Sequence, residues 1–61
     1  MVKVELETLE VGDRVYYVAP HLEVNLKNAE KGFITKILED RVWVRYLGPQ
    51  GNLTSTQYLY K

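Results

Sequence analysis

The side chains that could carry reaction chemistry are few, and none has a partner at a useful spacing. The chain has one histidine and no cysteine. His21 follows Pro20, with no second histidine and no carboxylate pair beside it, so it makes a poor metal ligand or acid–base group and reads as a surface loop residue. Asp13 follows Gly12 and Asp40 precedes Arg41, contexts in which aspartate builds turns. Thr54 and Ser55 have no base placed near them, so nucleophilic catalysis has no support. The expectation is a protein that is not an enzyme, with no cofactor and no metal.

Binding chemistry is better represented. Trp43 stands between Arg41 and Arg45. A tryptophan exposed beside arginines has the composition of an interface anchor. The same group, extended by Lys36, can stack on bases and contact phosphates. Phe33 and Tyr16 are expected to face outward on neighbouring strands. The candidate binding residues are therefore Trp43, Arg41, Arg45, Phe33, Lys36 and Tyr16.

These residues need strands to hold them. Lys31 to Gly48 reads as a hairpin turning at Glu39-Asp40. In its second arm Val42, Val44 and Tyr46 share one face, the better core, and Arg41, Trp43, Arg45 and Leu47 share the other. In its first arm Ile34 and Ile37 both look like core residues. They are three positions apart, so alternation cannot bury both without a bulge near Thr35-Lys36. Arg14 to Ala19 predicts an earlier strand with Val15 and Tyr17 inward and Tyr16 and Val18 on the other face. Val2, Val4 and Leu6 alternate with Lys3, Glu5 and Glu7, which predicts a strand or arm laid on a sheet, with Leu9 and Val11 adding apolar surface. Residues 20–30 read as a long loop whose Leu22, Val24 and Leu26 tuck against the rim. Gly48 to Gly51 is a turn sequence, and Asn52 to Thr56 a further strand. Gln57-Tyr58-Leu59 predicts one 3₁₀ turn with Leu59 in the core, before a short closing strand at Tyr60-Lys61.

Length sets the frame. The chain has 61 residues, which makes one domain. We divide it into an arm at 1–10 and a barrel at 11–61. A domain of that size buries only roughly 60% of its unfolded surface and is marginal unless packing or self-association helps. Lys plus Arg total 8 and Asp plus Glu total 8, so the basic excess of a dedicated nucleic-acid binder is missing. The hairpin is nonetheless mildly basic and the N-terminus mildly acidic. No stretch approaches the ~20 apolar residues of a membrane helix. No signal peptide is visible, and the lack of cysteine fits a reducing compartment. We expect a cytoplasmic location.

Gly12-Asp13-Arg14-Val15, then Gly32-Phe33-Ile34-Thr35-Lys36-Ile37, then Val42-Trp43-Val44-Arg45-Tyr46, with Leu59 near the end, resemble the SH3-like small-barrel class in the broad sense that includes Tudor-like and KOW-like modules. The resemblance covers residues 11 to 61 and implies an all-β fold, a small closed barrel of about five strands with an N-terminal extended segment. It is similar to small accessory proteins of bacteria or phages. Tudor-like modules use rings as a cage, and Tyr16, Tyr17, Phe33, Trp43 and Tyr46 supply rings here. KOW-like modules contact RNA or ribosomal proteins. Small barrels host unrelated activities, so the resemblance speaks to fold more than to function. The expected function is a non-catalytic interaction module acting through the face around Trp43 and the 20–30 loop, with a protein partner or a second copy. The alternative is an RNA- or DNA-binding barrel using the basic, aromatic hairpin face.

Overall fold

A computed structural model describes residues 1–46 and 51–61. The chain forms β1 (Arg14–Tyr17), β2 (Glu30–Ile37), β3 (Arg41–Arg45), β4 (Gly51–Ser55) and β5 (Leu59–Tyr60), with 3₁₀ turns at Leu6–Thr8, Leu26–Asn28 and Thr56–Tyr58. All pairings are antiparallel, in the order β4-β3-β2-β1-β5. The result is an all-β half-barrel with no α-helix among the described residues. The expected closure of the sheet is not made by hydrogen bonds, because no described ladder joins β4 to β5. Leu47 and most of the Gly48–Gly51 turn lie outside the described residues.

β-Branched content and alternation explain β3. Val42 and Val44 are fully buried, and Arg41, Trp43 and Arg45 point away from them. The bulge falls where Ile34 and Ile37 require it. Ile34 pairs with Val44, then Lys36 with Trp43 and Ile37 with Val42, which leaves Thr35 as the extra residue. Thr35 uses its hydroxyl to donate to the Trp43 carbonyl at 3.3 Å. The tight turn at Glu39-Asp40 closes with the Leu38 amide donating to the Arg41 carbonyl at 2.8 Å.

The core gathers Val4, Leu9, Val15, Ile34, Val42, Val44 and Leu59, with Leu6, Tyr17, Ile37 and Tyr46 packed against it. The first residues hold the end of the same chain. Val2 and Lys61 exchange backbone hydrogen bonds of 2.9 and 2.7 Å, and the Val4 amide donates to Leu59 at 3.1 Å. Period two does not persist there: Val2 is 73% exposed and the backbone turns into 3₁₀ geometry at Leu6. Val11 is exposed as well, because it precedes the turn in which Gly12 adopts φ 98°. Asp13 ties that turn to the C-terminus. Its carboxylate accepts from the Glu10 amide at 3.0 Å and the Lys61 ammonium at 3.1 Å. Those bonds hold its pKa below the usual carboxylate value, the backbone bond contributing most.

Residues 20–30 meet the expectation of a tucked loop only in part. Leu22 and Val24 keep 40% and 45% of their surface exposed while lining a depression with Val18, Tyr58 and Tyr60, and Leu26 stays 68% exposed. The asparagines that interrupt the apolar pattern are the structural residues: Asn25 Oδ1 accepts from the Asn28 amide at 3.0 Å, and Asn28 Nδ2 donates to the Glu23 carbonyl at 2.9 Å. Val18, expected outward with Tyr16, is only 2% exposed. β1 ends at Tyr17, so strand parity no longer governs it, and its amide bonds to the Tyr58 carbonyl at 3.2 Å.

Candidate binding face

Register places side chains on one face or the other, since residues directly opposite each other in an antiparallel pair share a face. Three rows cross the convex side. Lys36, Trp43 and Leu53 form one, with Arg41 opposite Ser55 at its rim. Arg14, Phe33 and Arg45 form the second, in which the Arg14 guanidinium stands 5.8 Å from the Phe33 ring centroid. Lys31, Tyr16 and Tyr60 form the third.

Trp43, Arg41, Arg45, Phe33 and Lys36 therefore lie on one continuous surface. Trp43 remains 37% exposed, and Phe33 and Leu53 are exposed too. Tyr16 shares the face but sits half-buried in the third row, away from Trp43. The N-terminal arm does not cover Trp43, because it pairs with β5 at the opposite end of the strand order. The 20–30 loop does not reach it either. That loop enters β2 at Glu30, whereas Trp43 faces Lys36 near the strand's other end. Pro20, Leu22 and Val24 line a depression with Lys3, Val18, Tyr58 and Tyr60 instead.

Charge separates by face. The outward positions of β1, β2 and β3 carry Arg14, Lys31, Lys36, Arg41 and Arg45 and no carboxylate. The acids sit in the N-terminal segment and the turns, apart from Glu30, which faces inward opposite Tyr17. Asp40 pairs with Arg41 at 3.3 Å, an exposed contact that lowers the Asp40 pKa through that hydrogen bond and charge. Exposed pairs of this kind add little stability. A chain with no net charge thus presents a basic, aromatic surface.

Five described residues of this face escaped the sequence reading: Arg14, Lys31, Leu53, Ser55 and Tyr60. Arg14 was legible, since extending the inward parity of Val15 back by one residue turns it outward. Leu53 was not, because residues 51–55 show no apolar alternation and only the register with Trp43 reveals its side.

The concave side holds a cleft of about 380 Å³ lined by Tyr17, Glu30, Tyr46, Thr54 and Tyr58 among others. Tyr17 meets Tyr46 and Tyr58 edge-on, at centroid distances of 6.3 and 6.4 Å. The five rings weighed as a cage are split: Tyr17 and Tyr46 face this cleft, while Tyr16, Phe33 and Trp43 face out.

Burial pushes the Tyr46 phenol above its ordinary pKa. The hydrogen bond with Thr54 at 3.3 Å opposes that shift, and Glu30 and Tyr17 add to it. A raised native pKa gives stability that is fully present below the unfolded value of about 10 and is lost as pH rises through the native value. Urea unfolding at neutral pH should therefore place Tyr46→Phe within about 1 kcal/mol below the parent, the worth of one hydrogen bond. Above pH ~10 the gap should shrink. A gap that widens with pH would show that the phenol is not held neutral by its surroundings.

Among the described residues no group of three His, Cys, Asp or Glu side chains is arranged to hold a metal ion, and no helix is long and apolar enough to cross a membrane. No protein-family model, no curated protein and no solved structure matches this chain.

Proposed function

We propose that this chain is a small non-catalytic binding module with an SH3-like barrel fold, acting through the convex face centred on Trp43. The fold assignment draws support from the long connection between β1 and β2, the bulged β2 and the single 3₁₀ turn between β4 and β5. The observation that carries the functional reading is the exposed Trp43, flanked across strands by Lys36 and Leu53 and along its own strand by Arg41 and Arg45. Large exposed rings beside guanidinium groups are the side chains that dominate protein interfaces. A protein partner with an apolar recess that takes the Trp43 ring fits this surface.

A second reading is favoured by the segregation of charge. The cations at the outward positions of β1, β2 and β3, interleaved with Trp43 and Phe33, also suit single-stranded RNA or DNA, with bases on the rings and phosphates at the cations.

Salt separates the two. A fluorophore-labelled oligo-uridine and oligo-thymidine are titrated with the parent chain and with Trp43→Ala at two salt concentrations, and the tagged chain is used to capture protein partners. Nucleic-acid binding would weaken steeply with salt through counterion release. A protein contact would be nearly indifferent to salt and lose ~2 kcal/mol or more on Trp43→Ala, about 30-fold in affinity. Binding of either kind that is unchanged by Trp43→Ala would sink the proposal.

A further inference from the structure

The two ends of the sheet are finished differently. The outer edge of β5 is occupied by the N-terminal arm through Val2 and Val4. Among the described residues β4 has no such cover. It pairs along its whole length with β3, from Arg41 opposite Ser55 to Arg45 opposite Gly51, and among the described residues no backbone hydrogen bond reaches its other edge.

Exposed edges are normally defended by lysine or another charge, by proline, or by a bulge that twists the strand away. Gly51–Ser55 has none of these: its residues are Gly, Asn, Leu, Thr and Ser, and its register with β3 is unbroken. At its centre Leu53 is 43% exposed, directly opposite Trp43.

The same strand is self-complementary. We infer that two copies of this chain associate by antiparallel pairing of β4 with β4, about a two-fold axis at Leu53. In that register Leu53 meets Leu53 of the second copy on the convex side. Asn52 falls opposite Thr54, and Gly51 opposite Ser55. No like charges meet, and one apolar strip runs from Trp43 through both leucines to the second Trp43. Because the patch pairs with itself, the contact is isologous and closes at two copies. The arm that covers β5 keeps the other edge from extending the assembly into a fibre. An occupant selected by charge is disfavoured, since β4 offers no ionic group to recognise it. The pairing goes beyond the binding role proposed above and would set two basic convex faces side by side.

Sedimentation equilibrium from about 10 μM to 1 mM tests it, because association is drawn out by mass action. The mass of the parent chain should move from 7.1 kDa toward twice that value. Leu53→Lys sets like charges opposite each other across the axis, which opposes pairing. It should weaken association by at least ~30-fold, with an unchanged circular dichroism spectrum. A parent chain that stays at 7.1 kDa throughout overturns the inference, as does a folded Leu53→Lys variant that dimerises like the parent. Should Leu53→Lys fail to fold, isotope-filtered NMR of mixed labelled and unlabelled parent chains decides. Methyl contacts between the two Leu53 side chains are expected, and a dimer without them overturns the pairing. A monomer that still binds ligand through Trp43 would remove the dimer and leave the binding face standing. A dimer that binds nothing would do the reverse.

Discussion

Gly32→Ala is expected to cost ~3 kcal/mol, the upper end for forcing a methyl group into a packed site. The reason is space. A Cβ at this position would lie 2.6 Å from Val44 Cγ1, 2.9 Å from the Arg45 carbonyl oxygen and 2.9 Å from Tyr46 Cδ1. A flexible side-chain end can swing away, but the Arg45 carbonyl is part of the β2–β3 ladder and Val44 is fully buried. Relief therefore requires β2 and β3 to part, which also separates Phe33 from Arg45 on the convex face. At 0.05–0.15 kcal/mol per residue a domain of this size has roughly 3–9 kcal/mol in total, so this one methyl group removes a large share. Gly12→Ala is the informative comparison. Gly12 has a φ of 98° and nothing within 4 Å of an added Cβ, so its cost is backbone strain alone, about 1 kcal/mol. Urea denaturation followed by circular dichroism should rank the two with Gly32→Ala clearly the weaker. Equal midpoints would mean that β2 does not approach β3 as closely as described.

Position 32 also shows what sequence alone can and cannot reveal. The Gly-x-Ile run announced a strand, and Ile34 with Ile37 announced a bulge, because two apolar residues three apart on a strand admit no other way inward. The Val42/Val44 face and the burial of Leu59 followed from alternation and from a final apolar residue after a turn. What did not follow were features set by tertiary placement. Val2 and Val11 have the right type for a core, but Val2 pairs its backbone with Lys61, which does not require burial of its side chain, and Val11 precedes the turn at Gly12. Leu26 remains exposed where Asn25 and Asn28 fix the loop through its backbone, while Leu22 and Val24 only line a shallow depression beside Tyr58 and Tyr60. The binding face was half legible. Local parity turned Trp43 outward, but the absence of carboxylates around it depends on which strands become neighbours. The sum of charges, which is zero, conceals that arrangement.

The second large effect is expected at Leu59. Leu59→Ala removes a fully buried side chain and leaves a cavity, a change that costs 2–5 kcal/mol in other cores and should cost ~3 kcal/mol here. More than volume is involved. Through its backbone Leu59 ends the 3₁₀ turn at Thr56–Tyr58, pairs with Tyr17 of β1 and accepts the Val4 amide, and its side chain packs in the core with Val4 and Leu9 beneath that junction of turn, closing strand and arm. Hydrogen exchange should accordingly show a regional pattern. Backbone amides of Val2, Val4 and Lys61 should lose protection first, while those shared by β2 and β3 should persist until global unfolding. Leu53→Ala removes the same atoms from an exposed position and should stay within about 0.5 kcal/mol of the parent in dilute solution. The contrast between these two leucines separates the parts they play. Leu59 fixes the edge that the chain covers for itself, and its loss would uncover β5 beside an already open β4. A Leu59→Ala chain should therefore aggregate beyond a dimer as it is concentrated, since two unguarded edges permit strand addition at both ends. A variant that lost stability without that change in association would show that the arm covers β5 independently of the core beneath it.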